Sequence, residues 1–297
     1  MAQDRRKVVV TGATGGLGSA VIAALSRAAP VSELGVSVQS PEKAAHLAAR
    51  GLRVRQGDFD DPRSLDHAFE GAERVLIVST RAPSNAARFA QARNAIEAAR
   101  RCGARHILYT SIVHRPGSRF AAAQGHFDTE AYLEACGTGY TILHNGHYME
   151  NLPMFLGASL ATGDLPLPAD GPTAWVSRLD LAEGIAKLLL AQDRLPENIV
   201  LTGPEALDFA AIAQIAGKAV GRPIARRVVS SEEYVALLVT RGFPEGGARL
   251  LATGFDSRAA GELAIVDPAL EAVLGRKLRR VEEVLPGLIA EVRKEVA

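Results

Sequence analysis

Thr11-Gly12-Ala13-Thr14-Gly15-Gly16-Leu17-Gly18 follows the apolar run Val8-Val9-Val10 and opens a helical stretch from Ser19 to Arg27. A strand, a tight glycine turn and a helix in that order form a cradle for a dinucleotide phosphate. Gly12 allows the sharp turn, Gly15 lets backbone approach a pyrophosphate, and Gly18 lets the helix pack close to the strand. The helix start adds free N–H groups and a partial positive charge. Glycines also serve ordinary turns, so the strand before and the helix after carry the reading. The residues at the end of the next strand choose the cofactor. A carboxylate there binds the ribose 2′-hydroxyl of NAD, whereas this chain has Val38-Gln39-Ser40, which leaves a 2′-phosphate unrepelled. Lys43 follows one turn later, either as a phosphate partner or as a solvated surface lysine. NADPH is therefore favoured over NADH.

The elements that must position these groups alternate regularly. Leu34–Val38, Leu52–Arg55, Arg74–Val78, His106–Thr110 and Tyr140–Leu143 read as strands. Helices start near Pro41 and at Asp61-Pro62, and span about Asn85–Arg101 and Phe127–Ala135. Near-continuous Val/Ile/Leu strands divided by amphipathic helices imply a parallel sheet covered on both faces, with right-handed crossovers. The expected fold is α/β, a doubly wound parallel Rossmann sheet with a smaller, mainly helical C-terminal substrate lobe. Residues 1–152 form the dinucleotide-binding domain, 174–202 return to it, and 153–297 form the lobe. Gly157 to Pro172 reads as irregular connection, Leu179–Leu190 as helix and Ile199–Leu201 as strand. Beyond Asp208 the pattern is helical over Asp208–Val220, Ser231–Val239 and Val281–Glu295.

Composition excludes several classes. A net charge of +1 with interspersed signs gives no footprint for nucleic acid or an acidic membrane. Cys102 and Cys136 lack metal or redox spacing and read as reduced thiols, so no metal site is expected. The apolar part of the N-terminal stretch MAQDRRKVVV is too short for a signal peptide, and no segment reaches transmembrane length. The expectation is a cytoplasmic protein.

Several stretches then fall in a telling order: TGATGGLG, VRQGDFDDP ending at Pro62, LYTSIVH from Leu108, HFDTEAYL from His126 and LHNGHYMEN from Leu143. Together they resemble the NmrA-like group of atypical short-chain dehydrogenase/reductases, over roughly residues 7–290 and most strongly over the first 152. HNGHYMEN is the most specific of these motifs. The resemblance is greatest to members that reduce quinones or triphenylmethane dyes. It implies a cofactor site of Gly12, Thr14, Gly15, Gly16, Leu17, Gly18, Gln39, Ser40, Lys43, Asp58, Phe59, Ser79, Thr80 and Asn145. Asp58 would contact the adenine amino group and Phe59 lie near the ring, the weaker alternative for Asp58 being a cap ahead of the helix after Pro62. NADPH-using relatives often have Arg and Asn where Gln39 and Ser40 stand, so a bidentate phosphate partner is missing here.

The wider superfamily uses a Ser, Tyr and Lys set in which the Tyr donates a proton as hydride arrives. Ser111 matches the serine, but the resemblance puts Phe127 at the tyrosine and Ala131 at the lysine position. Tyr132 points roughly a third of a helical turn away, with Cys136 where a lysine would be needed. Ser111 and His126 remain as catalytic candidates. Two readings follow: an NADPH-dependent reductase whose quinone or aromatic ketone substrate supplies part of the proton chemistry, or a sensor of the dinucleotide's redox state without catalysis.

Substrate candidates are His114, Phe120, Tyr148, Met149, Met154 and Phe155, from the segments 112–125 and 145–173. Met and aromatic side chains suit a flat apolar ring system, although Met154 and Phe155 fit core packing equally well. A quinone, a dye-like cation or an aromatic polyketide ketone of antibiotic biosynthesis is consistent with them.

Overall fold

The computed structural model describes residues 6–115 and 117–296. Met1 to Arg5, from the stretch judged too short for a signal peptide, lie outside the described residues, as does Pro116 of the expected pocket segment.

The first half runs β1 (Arg6–Thr11), α1 (Gly16–Ala28), β2 (Leu34–Val38), α2 (Ala45–Ala48), β3 (Arg53–Gln56), α3 (Pro62–Phe69), β4 (Ala72–Ile77), α4 (Asn85–Arg101), β5 (His106–Ile112), α5 (Gln124–Ala135) and β6 (Gly139–Asn145). It continues with β7 (His147–Tyr148), α6 (Leu152–Leu156), α7 (Ser159–Thr162), β8 (Asp164–Pro168), β9 (Thr173–Val176), α8 (Arg178–Leu190) and β10 (Asn198–Leu201). The remainder is β11 (Ala206–Leu207), α9 (Phe209–Val220), β12 (Ala225–Val229), α10 (Ser231–Thr240), α11 (Glu245–Ala259), α12 (Ala269–Leu274) and α13 (Val281–Val296).

Seven strands form one sheet in the order β10-β6-β5-β4-β1-β2-β3, and every neighbouring pair is parallel. The order reverses between β1 and β4, which opens a crevice at the carboxyl ends of the strands. Alternation along each strand divides the core between the faces. Val8, Val10, Leu76, Leu108 and Leu143 pack toward α1 and α8. Val9, Val75, Ile77, Ile107, Tyr109 and Ile142 pack toward α3, α4 and α5. Side-chain caps set the helix starts: Asp61 accepts from the Arg63 amide, Ser84 from Ala87 and Ser177 from Leu179.

A separate apolar cluster holds the later segments around Trp175, Phe209 and Phe255. The stretch Gly157 to Pro172, expected to be irregular, contains α7 and β8. Among the described residues, β8 pairs only with β12, so Pro166 and Pro168 sit in a two-stranded ribbon where missing N–H donors can face away from the partner. The pattern after Asp208 also missed β12, α11 and α12; β12 pairs with β8 and α12 packs on α8, partners from well before them in the sequence. The helix expected near Pro41 is a tight turn over Pro41–Ala44 followed by the single turn α2. Among the described residues, no helix is long and apolar enough to cross a membrane.

Candidate functional site

The glycine turn has the geometry of a phosphate cradle, and its glycines do different work. Gly12 has φ +62°, a left-handed conformation that favours glycine. Its carbonyl accepts from the Gly15 amide at 2.9 Å. A Cβ on Gly18 would stand 2.2 Å from that carbonyl oxygen, so α1 can approach the turn only with glycine there. A Cβ on Gly15 would meet the same oxygen at 3.3 Å, and one on Gly16 would meet the Arg178 guanidinium at 2.9 Å. Gly15 supplies no side-chain cap and the first turn of α1 has no acid, which leaves its positive end open.

Beside the turn lies a cleft of about 340 Å³ whose walls include Gly12, Gln39, Asp58, Phe59, Thr80 and Arg81. Gln39 Nε2 donates to Asp58 Oδ2 at 2.9 Å, and the Asp60 amide donates to Oδ1. Asp58 therefore shapes the floor, while Asp61 caps α3. Ser37 Oγ and Thr80 Oγ1 are buried at this edge without partners. Orphaned hydroxyls beside an open helix end fit a polar, anionic dinucleotide. Ser79 is tied through its amide to Thr110 Oγ1. Lys43 is exposed on the Pro41–Ala44 turn; neither it nor Ser40 lines the cleft. Arg81, which no motif singled out, supplies a cation at the wall.

At the end of β5, Ser111 donates to the carboxylate of Glu130 on α5. His114 Nε2 donates to the same Oε1 at 2.9 Å, which leaves its buried Nδ1 without a partner. His144 approaches Glu130 to 3.8 Å and also contacts Asn198 at 3.0 Å. The nitrogens and carboxylate oxygen of His114, Glu130 and His144 all lie within 4.8 Å of one another. Glu130 escaped the sequence reading, although it lies three residues beyond Phe127 and so shares its helix face. Phe127 packs its ring 4.1 Å from His114, and Ala131 is exposed. Tyr132 turns away to donate to Glu97 at 2.6 Å.

His126 faces inward. Its Nδ1 hydrogen-bonds the Tyr109 hydroxyl at 2.9 Å, and burial pushes its pKa down to about 3, helped by the Arg88 charge. It is neutral at physiological pH and has no imidazolium proton to give.

The expected substrate side chains separate. Met149 is fully buried in the second core, and Phe155 packs against Trp175, Phe209 and Phe255. Met154 is 46% exposed. Phe120 approaches His147, whose pKa is lowered to about 3 by burial and by Arg258. Arg258 is itself buried among four aromatic rings, and loss of water lowers its pKa to about 10. Asn145 is fully buried with both amide heteroatoms unpartnered, and Tyr148 is half-buried beneath Arg178.

Comparison with known proteins matches this arrangement. The model of the NmrA-like family covers residues 4–285. Quinone oxidoreductase 2 of Escherichia coli (strain K12) is 32% identical over 277 residues, spanning 93% of this chain and 96% of that protein. The crystal structure of the NADPH-dependent E. coli enzyme with NADPH superposes with a TM-score of 0.89, covering 95% of this chain and 99% of the other. Triphenylmethane reductase of Citrobacter sp., complexed with NADP(H), gives 0.87 at 32% identity, over 93% and 98%. A sheet, a glycine cradle and a full-length likeness thus agree, and the chain belongs to the NmrA-like family.

Proposed function

We propose that this chain is an NADPH-dependent oxidoreductase that delivers hydride to a quinone, a dye-like cation or a polycyclic aromatic ketone. The observation that carries the reading is that the open glycine cradle after β1 and the Ser111–Glu130–His114 cluster at the end of β5 lie at the same, carboxyl edge of the parallel sheet. The likeness to enzymes named for quinone and dye reduction supports it. Bound NADPH supplies the hydride. The protein's share is chiefly positioning, and orientation alone can contribute about 7–11 kcal/mol.

The proton is a separate matter. Ser111 commits its O–H to the Glu130 carboxylate, so it meets a substrate as a hydrogen-bond acceptor. Phe127 and Ala131 carry no transferable proton, and His126 is buried and neutral. A dye-like cation needs no proton once it has taken the hydride; on this reading the proton for a quinone or ketone comes from a hydroxyl on the substrate, hydrogen-bonded to its own carbonyl, or from water. Calorimetric titration with NADPH and NADH, followed by a screen of quinones, triphenylmethane dyes and polycyclic ketones for NADPH oxidation, tests the proposal. NADPH binds more tightly and at least one acceptor turns over. No turnover with any acceptor, together with a protein partner that distinguishes NADP⁺ from NADPH, overturns it in favour of a redox-sensing regulator.

A further inference from the structure

Arg178 is the first residue of α8, and its backbone amide is held by both carboxylate oxygens of Glu150, at 2.9 and 3.0 Å. With the backbone fixed there, the side chain reaches across to the glycine turn. Its guanidinium carbon lies 3.0 Å, and one terminal nitrogen 2.9 Å, from where a Cβ on Gly16 would be. The other side of the group faces the Tyr148 ring, with the guanidinium carbon 5.4 Å from the ring centre. Nε is buried without a partner, and among the described residues no carboxylate pairs with this guanidinium. Glu150 is engaged by the backbone amide instead.

This is an unfavourable place for a lone cation. Gly16 begins α1, whose first turn carries the positive end of the helix dipole and unsatisfied N–H groups, with no acid and no capping side chain to offset them. Like charges meet there, and an anion between them would offset both. Resting on the NADPH reading above, we propose that Arg178 is a binding residue that closes over the cofactor pyrophosphate from the side opposite the α1 amides. Gly16 is then glycine for a reason beyond backbone approach: it leaves room for the guanidinium. The clamp also links pyrophosphate binding to Tyr148, which underlies the same side chain.

Binding of three probes to the full-length protein tests this by calorimetry: NADP⁺, 2′-phospho-ADP-ribose, which keeps the pyrophosphate, and 2′-AMP, which lacks it. Arg178→Met keeps the apolar stem and removes the charge. It weakens NADP⁺ and 2′-phospho-ADP-ribose about 10- to 100-fold, the range for losing a charge-assisted bond to phosphate, and leaves 2′-AMP unchanged. Arg178→Lys falls between, because an ammonium keeps charge but not the fork. Melting of the ligand-free variant does not fall, because the charge it loses is one that α1 repels, and its NADP⁺ affinity depends less steeply on salt. Gly16→Ala, which displaces the guanidinium without altering it, weakens the pyrophosphate probes several-fold and serves should Arg178→Met fail to fold. Unchanged affinity for the pyrophosphate probes, or equal weakening of 2′-AMP, overturns the clamp. A wild-type protein that binds none of the probes overturns the NADPH reading instead.

Discussion

Replacing Gly18 with alanine separates the glycine that shapes the cradle from its neighbours. The new Cβ would lie 2.2 Å from the Gly12 carbonyl oxygen and 2.7 Å from its carbon. An ordinary carbon–oxygen contact is about 1 Å longer, so α1 must withdraw from the turn or the turn must deform. Both partners are backbone and neither can rotate aside, which places the strain near the top of the usual overpacking range of about 1–3 kcal/mol. Alanine returns up to about 1 kcal/mol through its helix propensity. The net loss is about 2 kcal/mol, a fall in melting temperature of about 3 °C for a chain of 297 residues. Because the shift moves the amides that meet the phosphates, NADPH affinity falls at least tenfold. Gly15→Ala is the control for stability alone: its Cβ meets the same oxygen at 3.3 Å, and its φ of −89° and ψ of 167° suit any residue. Thermal melts and NADPH titrations of both variants provide the assay. A Gly18→Ala protein that melts within a degree of wild type and binds NADPH normally refutes the account of this turn.

Ser111→Ala lowers turnover only modestly, because its hydroxyl is already donated to Glu130; a loss of about 10²–10⁴-fold in kcat at unchanged NADPH affinity identifies Ser111 as the acid. Gln39→Asp sets a second carboxylate against Asp58 and the 2′-phosphate, so NADPH binding weakens more than NADH binding in parallel titrations. His126 and His147 have folded pKa values near 3, below the unfolded value of about 6.5. Their contribution to stability is therefore complete above about pH 6.5 and lost as pH falls toward 3, and melting curves of His126→Phe across that window show a shallower acid limb. Asp180 is fully buried and accepts from Arg276 at 2.8 Å, from Arg279 and from the Arg279 amide. Asp180→Asn costs about 2–3 kcal/mol in denaturant unfolding, less than a fully buried pair because Arg276 and Arg279 keep 37% and 36% of their side-chain surface in water.

The sequence by itself determined the cradle and the sheet around it. The glycine spacing of Gly12, Gly15 and Gly18, the apolar strands and the helix start at Asp61-Pro62 are local features. Each acts through residues a few positions away, so hydrophobic period and turn chemistry reveal them. The likeness that named Ser111 also exposed the loss of the tyrosine and lysine at Phe127 and Ala131. What tertiary structure decided is which side chains meet. Glu130 becomes the partner of Ser111 because α5 packs beside β5, and Arg178 reaches Gly16 because α8 returns to lie against α1. His126 looked like an acid in sequence, but the same packing turns it toward Tyr109 and removes the water that a charged imidazole needs. β8 and β12 escaped notice because each completes the other across a long intervening stretch, and neither has a periodicity that identifies it alone. Short-range propensity fixes where backbone turns. Burial and charge at a site depend on contacts made by chain crossovers, which no local window contains.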